Sequence, residues 1–516
     1  MFVVVGSGPA GVACAHALLQ KGAKVTMLDA GLDLESDRKA RIAALAASSR
    51  KQWNADSLEF LREGVTVESG GIPLKMAYGS SFPYREPAPL PIKLDGAEGK
   101  ASYARGGLSN VWGASVMPFR TEDMTEWPIT AEDLSPHYRA VLDLIPYSAR
   151  HDMLADSFPL YSDRAVALNV SRQADALLHD LESAHDELAA RGVQFGASRL
   201  AVNAACVYCA LCMYGCPYGY IYNSGETLDE LRRHRGFTYR PGILVERVTE
   251  KSSHLELTGE TINDGTPFSM SVERAFLACG VFSTARIVLT SLDAYGERVQ
   301  AVDNCYFLLP LLRQRSEKAA RRESLHTLAQ VFLEVLDPAI GPHTVHLQVY
   351  TYNELFRRQL RNMLGPLDPV LGGIAARGVL GRLLLIQGYL HSDLSPGINL
   401  TLDREGTLSL AVEPNSRTRP ALAALKRRLW SERGAMRAIP VSPAMRIGKP
   451  GRGFHTGGTF PMRSRPRRLE TDVAGRPHGF SRLHLVDSSI FPTLPATTIT
   501  LSVMANAHRI GSAAVA

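Results

Sequence analysis

A hydrophobic strand running into a Gly-rich turn and helix at the N-terminus, a return to that style after residue 445, and a strand-rich stretch between them predict an α/β fold. In this reading a Rossmann-like dinucleotide-binding domain is interrupted by an α+β substrate domain with a mainly antiparallel sheet. The strand is Phe2-Val3-Val4-Val5 and the turn is Gly6-x-Gly8-x-x-Gly11, with Pro9 and Ala10 inside it. Glycines suit a tight turn that a pyrophosphate approaches closely, and the following helix N-terminus favours phosphate charge. That helix begins after Pro9 and carries Val12, Ala15, Leu18 and Leu19 at helical spacing. A second strand, Lys24–Leu28, leads into Asp29 and Ala30, and a carboxylate at that strand end suits ribose hydroxyls.

Residues 32–100 read as irregular, with short helices and a Pro-rich stretch from Phe82 to Pro91. Gly106-Gly107-Leu108-Ser109-Asn110-Val111-Trp112-Gly113 is the next Gly-rich turn. Helical spacing covers 165–192, and a further helix is expected near Thr227–Arg235. Strands follow at Leu244–Val248, which includes Val245, at His254–Leu257 and at Arg274–Ala278. The turn Ala278-Cys279-Gly280 then enters a helix, Ser283–Ser291. From about 300 to 445 the segments Val345–Tyr352, Leu383–Leu390 and Ile398–Leu402 have strand composition. The C-terminus offers a strand, Leu483–Val486, then Asp487-Ser488, and a last helix at Thr500–Ala514. The expected division is 1–120, 196–300 and 446–516 for the dinucleotide domain, 121–195 for a helical insertion and 301–445 for the substrate domain.

Composition narrows the function. The chain has 516 residues, 7 cysteines and a formal charge of +6, which fits a soluble globular protein of one or two domains. Basic residues crowd at Arg313–Arg322, at Arg357, Arg358 and Arg361, and at Arg463–Arg468. No aromatics interleave with them, so nucleic acid is not expected as a partner. No window spans a bilayer, and the phosphate-binding turn begins almost at Met1, so a cytoplasmic location is the default expectation. Met363–Ile386 alternates apolar residues with Gly, carries Arg377 and Arg382, and follows a basic helix at Glu354–Arg361, which allows a peripheral membrane contact.

Cys206, Cys209, Cys212 and Cys216-Pro217 have the spacing C-x2-C-x2-C-x3-C-P, which resembles the cluster-binding run of bacterial ferredoxins. The expectation is one iron–sulfur cluster, 4Fe-4S or 3Fe-4S, against zinc, disulfides or free thiols as alternatives. Cys14, Cys279 and Cys305 read as small core residues.

His455-Thr456-Gly457-Gly458-Thr459-x-Pro461-Met462, then Val486-Asp487-x-Ser489-x-x-Pro492-Thr493 and a helix ending near Ala507-x-Arg509-Ile510, follow an order that resembles the glucose–methanol–choline (GMC) oxidoreductase superfamily. Gly6–Gly11, Gly106-Gly107 and Ala278-Cys279-Gly280 match it too. The resemblance implies bound FAD and oxidation of an alcohol to a carbonyl. It places His455 as the residue that takes the hydroxyl proton. Where the family carries a second His or Asn, this chain has Thr498, which can orient a substrate oxygen but cannot act as a base near neutral pH. Val111 stands where some members bond a His to the flavin, so FAD is expected to be non-covalent. The cysteine run resembles segments in the long-chain alcohol oxidase and gluconate dehydrogenase-like branches. The expected activity is an alcohol dehydrogenase acting on a sugar or glycan-like hydroxyl, with an acceptor that the sequence does not identify. Fatty alcohol is the rival substrate, and a non-catalytic binding scaffold or redox-neutral flavin chemistry are the rival classes.

Overall fold

A computed structural model describes residues 1–63, 74–87, 90–320, 323–353 and 379–515. The expected N-terminal unit forms. Phe2–Val5 is a strand whose valines are buried on both faces, as befits the centre of a parallel sheet. It pairs on one side with Val25–Asp29 and on the other with Arg274–Leu277. Phe237–Pro241 and Leu483–Leu485 complete five parallel strands, so sequence-distant segments meet in one sheet. Helix Pro9–Gln20 has Pro in its first turn and packs against the last helix, Thr500–Ala513. Gly511 permits that approach, because a Cβ there would lie 2.8 Å from the Cys14 carbonyl oxygen.

A seven-stranded antiparallel sheet stands beside it. Its path runs Ala438–Pro440, Tyr306–Arg313, Leu383–Tyr389, Val345–Tyr350, Val331–Val335 and Val193–Ala197, with Arg446–Ile447 paired onto Tyr306–Arg313. Alternation divides its faces. Leu384, Ile386, Leu347 and Val349 enter a hydrophobic core, while Leu385, Gln387, Gln348 and Tyr350 turn towards a cavity. A five-stranded sheet links the two, in the order Thr456–Gly457, Arg298–Asp303, Gly397–Leu402, Leu408–Glu413 and Ile92–Asp95. A three-stranded meander, Ile243–Glu250, Leu255–Thr261 and Pro267–Val272, packs over helix Val281–Ser291.

Several expectations need correction. The helical stretch 165–192 is two shorter helices, Arg172–Glu182 and His185–Ala190. Ser171 caps the first by accepting a hydrogen bond from the Ala174 N–H, so the chain before it is not helical. The meander's third strand, Pro267–Val272, is not among the expected strands, although Phe268, Met270 and Val272 alternate with exposed Pro267, Ser269 and Ser271. Gly397–Leu402 belongs to the linking sheet rather than to the large one. Arg313, grouped with surface cations by sequence, is buried and donates to Asp180 at 2.6 Å. Residues 354–378, the bulk of the expected membrane-facing segment, lie outside the described residues. Its end, from Leu383, is an interior strand. Among the described residues no helix is long and apolar enough to cross a membrane.

Buried histidines are expected to make this fold acid-sensitive. His484 is stacked on Phe276 at 4.8 Å within the parallel sheet, and burial pushes its pKa down to about 4. Burial likewise lowers His508 to about 4, with His137 and His16 adding repulsion. The unfolded chain binds these protons near pH 6.5, so it holds more protons than the native state between about pH 6.5 and 4. Stability is therefore predicted to be full above that window and to fall as pH drops through it, by roughly 3 kcal/mol for His484 alone. Thermal melts across pH 4–8 test this. His484→Gln should flatten the acid limb, and an unchanged limb would contradict the assignment.

Candidate functional site

The Gly-rich turn shows which positions tolerate a side chain. A Cβ on Gly11 would sit 1.9 Å from the Gly6 carbonyl oxygen, and one on Gly6 (φ +99°) would meet the Ala278 carbonyl at 2.6 Å. These two glycines let helix, strand and neighbouring turn close together. A Cβ on Gly8 would meet no protein atom within 4 Å. Gly8 faces a cavity of about 420 Å³.

Most of the sequence-nominated residues converge on this cavity. Gly6, Gly8, Pro9, Ala10, Asp29, Gly107, Ser109, Ala278, Gly280, His455, Asp487, Ser488 and Thr498 all line it. Asp29, Ala30 and Val245 line an adjoining pocket of about 60 Å³. Gly11, Gly106 and Asn110 act on the frame instead. The Gly106 N–H donates to Ser7 Oγ at 3.0 Å. The Asn110 amide donates to the carbonyls of Arg105 and Gly107 at 2.9 and 2.7 Å.

Asp29 is buried and accepts hydrogen bonds from the Ser7 hydroxyl and, at 3.0 Å, from the Tyr239 hydroxyl. Burial raises its pKa to about 6. Asp487 accepts from the Gly280 N–H at 2.9 Å, the Thr284 hydroxyl at 2.6 Å and the Ser489 N–H at 3.0 Å. It thereby ties the start of helix Val281–Ser291 to the C-terminal turn. The glycine cradle, the open space at Gly8 and the carboxylate at the strand end fit a dinucleotide such as FAD, whose pyrophosphate needs close backbone and no Cβ.

His455 lines the same cavity from the C-terminal part of the chain. Asn304 donates its N–H to the His455 carbonyl at 3.2 Å. Thr456 donates to the buried Asp303 at 2.8 Å, and Ser488 donates to the Thr456 carbonyl at 2.8 Å. The imidazole stacks on Tyr389, with ring centres 4.5 Å apart, and its buried Nδ1 has no hydrogen-bond partner. Burial first, and then the nearby His346, lower its pKa to about 3. His455 is thus a neutral imidazole at physiological pH, the form able to accept a proton. The Thr498 hydroxyl oxygen accepts from the Met117 N–H at 3.1 Å, which leaves its own proton to donate.

Sequence reasoning missed a large share of the wall. Lys75, Trp112, Tyr306, Gln348, Tyr350, Gln387 and Tyr389 also line the cavity. Four of them fall on alternate positions of two paired strands, Val345–Tyr350 and Leu383–Tyr389. That period of two was the available signal, but it does not say which face meets a ligand. Lys75 is half-buried, donates to the Trp112 carbonyl at 2.7 Å and is lowered to about 8, by desolvation first.

The four cysteines gather at one small pocket with Val202, Tyr220, His326 and Leu328. None forms a disulfide. Left-handed backbone at Tyr208, Ala210, Gly215 and Gly219 curls the loop around it. The Tyr220 N–H points at Cys216 Sγ (3.3 Å) and the Thr327 N–H at Cys212 Sγ (3.4 Å). Among the described residues, no three of these sulfurs lie within 4.8 Å of one another. Four sulfurs around one small pocket are a donor set that a metal centre can use. Leu328 lines both this pocket and the large cavity, and Met213 of the same loop lines the cavity too. Cys14 and Cys305 are core residues as expected, but Cys279 is part-exposed and lines the cavity.

Residues 443–507 match the family model of GMC oxidoreductases, and residues 4–34 match an NAD(P)-binding Rossmann-like domain. No curated protein matches the chain. The fold is similar to that of a crystal structure of pyridoxine 4-oxidase from Mesorbium loti. The TM-score is 0.60 at 15% identity, covering 99% of this chain and 98% of that one.

The glycines separate folding from binding. Gly8→Val is predicted to leave a folded protein that no longer retains flavin, whereas Gly11→Val should not fold. Circular dichroism with the flavin-to-protein absorbance ratio tests both, and flavin retained at the normal ratio by Gly8→Val would contradict the placement.

Proposed function

We propose that this chain, whose residues 443–507 match the family model of the GMC oxidoreductases, is an FAD-dependent dehydrogenase that oxidises an alcohol hydroxyl to a carbonyl. The observation that carries the proposal is a neutral, buried His455 on the same cavity as the Gly6–Gly11 cradle. Bound there, FAD supplies a two-electron acceptor for the hydride leaving the substrate carbon. Gly6, Gly8, Asp29 and the Gly107–Ser109 turn would hold it, framed by Gly11, Gly106 and Asn110, with Val245 in the adjoining pocket and Asp487 securing the turn. Val111 makes the attachment non-covalent in this reading.

His455 takes the hydroxyl proton. Thr498 donates a hydrogen bond to the substrate oxygen and sets its direction. Tyr389, stacked on His455, holds the imidazole plane in place of the absent Nδ1 hydrogen bond. Gln348, Gln387 and the tyrosines 306, 350 and 389 offer hydrogen bonds and ring faces suited to a sugar or glycan-like substrate. Leu308 and Leu385 on the same wall support a long-chain or lipid alcohol as the second reading.

Cys206, Cys209, Cys212 and Cys216 hold an iron–sulfur cluster in this proposal, supplying one-electron exit to an acceptor other than oxygen. The shared wall at Leu328 supports that route. The domain division follows the same logic, with 301–445 carrying the substrate wall between the flavin-binding parts.

Two experiments test these statements. Anaerobic stopped-flow flavin reduction with a panel of sugars and n-alkanols should bleach the flavin without added acceptor. His455→Ala should keep its FAD yet react about 100-fold or more slowly. Thr498→Ala should lose only about 1 kcal/mol of transition-state stabilisation. Bleaching by no alcohol would leave a non-catalytic scaffold as the better reading, and near-normal reduction in His455→Ala would remove that residue as base. Iron and labile sulfide analysis with paramagnetic resonance should find about three or four irons per flavin, lost in Cys209→Ser. Iron-free protein with full activity towards its acceptors would refute the cluster.

A further inference from the structure

The loop that carries His455 is closed at both ends by one buried carboxylate. Strand Arg298–Asp303 ends on Asp303, which lies opposite Thr456 in the antiparallel pair with Thr456–Gly457. Asp303 Oδ2 accepts from the Gly451 N–H and Oδ1 from the Thr456 hydroxyl, both at 2.8 Å. Every residue from Gly451 to Thr456 lines the large cavity.

We infer that Asp303 is a positioning residue whose carboxylate clamps this loop and so sets where His455 stands, an assignment that rests on His455 as the base. The loop needs a clamp. Phe454, immediately before His455, has φ +55°, left-handed backbone that an aromatic residue adopts only where its surroundings impose it. Gly451 has φ +87°, and a Cβ there would lie 1.5 Å from the Glu98 carbonyl oxygen. A Cβ on Gly453 would meet the side chains of Tyr306 and Tyr389 at 3.2 Å, so the loop is pressed against the wall it faces.

A carboxylate suits the task because the two donors come from opposite ends of the loop and each takes its own oxygen. The next residue adds a third tie. The Asn304 N–H donates to the His455 carbonyl at 3.2 Å, and the Asn304 amide donates to the carbonyls of Leu390 and Leu494 at 2.8 and 3.2 Å. Asn304 therefore holds the backbone of His455, while Asp303 holds its flanks. His455 Nδ1 has no hydrogen-bond partner. The place of the imidazole is thus set by the backbone beneath it and by its stacking on Tyr389.

Only the ionised carboxylate offers two full acceptors. Protonation turns one oxygen into a hydroxyl and loosens the bond it held. Burial raises the Asp303 pKa to about 7, against hydrogen bonds from Gly451, Thr456 and the Asn304 N–H that pull it down. The clamp is therefore closed above about pH 7 and loosens below it. The ionisable groups around it are Cys305, Tyr306, Tyr389 and His455, with Arg452 on the loop paired to Glu98 at 3.7 Å. Burial raises Cys305 to about 12, raises both tyrosines and lowers His455 to about 3, so these four keep their charge state between pH 6 and 8.

The test uses the full flavin-loaded protein. Hydrogen–deuterium exchange of residues 449–457, corrected for the intrinsic pH dependence of exchange, should show protection at pH 8 that falls about tenfold by pH 6, as the charged fraction drops from roughly nine-tenths to one-tenth. Asp303→Asn offers one acceptor oxygen at every pH. It should keep its flavin-to-protein ratio and show the low protection throughout. With an alcohol that bleaches the wild-type flavin, the reduction rate should fall in parallel between pH 8 and 6. Asp303→Asn should be about 10- to 100-fold slower at pH 8 and show no pH step. An aspartate that only stabilises the fold would leave that step in place. Equal exchange at 449–457 in Asp303→Asn and wild type, or a pH step that survives in Asp303→Asn, would overturn the assignment. If Asp303→Asn loses flavin through misfolding, Thr456→Val decides: it removes one of the two bonds and must speed exchange of the segment at pH 8. A wild-type flavin that no alcohol bleaches would refute His455 as base, while the exchange still reports on the clamp.

Discussion

The buried carboxylate of Asp487 is the interaction on which the remainder depends. Its oxygens accept from Gly280, Thr284 and Ser489, so one side chain joins a helix start near residue 280 to a turn near residue 488. Desolvation raises its pKa, and three donors offset that cost. Through Ser488 and the Thr456 carbonyl the tie reaches the loop that carries His455. The candidate base thus keeps its position relative to the glycine cradle although some 450 residues separate them in sequence.

The site is built from a rigid half and an adaptable half. The parallel sheet, with its close glycine contacts, leaves no freedom at Gly6 or Gly11. The antiparallel sheet presents alternating side chains, so its cavity face can change without disturbing the hydrophobic core behind it. The glycine cradle and the alternating wall thus belong to different sheets of the fold. His455 lies at their meeting line, stacked on a tyrosine from the adaptable half while its backbone is held from the linking sheet.

The cysteine loop adds a third element. Positive φ at Tyr208 and Ala210, residues that ordinarily avoid it, is tolerated where a loop must wrap a common centre. Leu328 lines both the cysteine pocket and the large cavity, and Met213 of the loop lines the cavity too, so one wall separates the two. The shielding of Cys209 and Cys212 from solvent raises both thiols, Cys209 to about 12. As free thiols they would be inert, and a metal partner is what would make thiolates of them.

Sequence by itself determined the features that are local. Gly6–Gly11 with Asp29, the C-x2-C-x2-C-x3-C-P run and the His455 and Asp487 segments each need only neighbouring residues and a spacing to be legible. Tertiary structure decided what depends on distant partners. Arg313 reads as a surface cation until Asp180 is seen beside it in the interior. Gln348, Tyr350, Gln387 and Tyr389 read as one face of ordinary strands until the sheet is laid against the cradle. Periodicity tells which residues share a face, but only long-range pairing tells what that face meets.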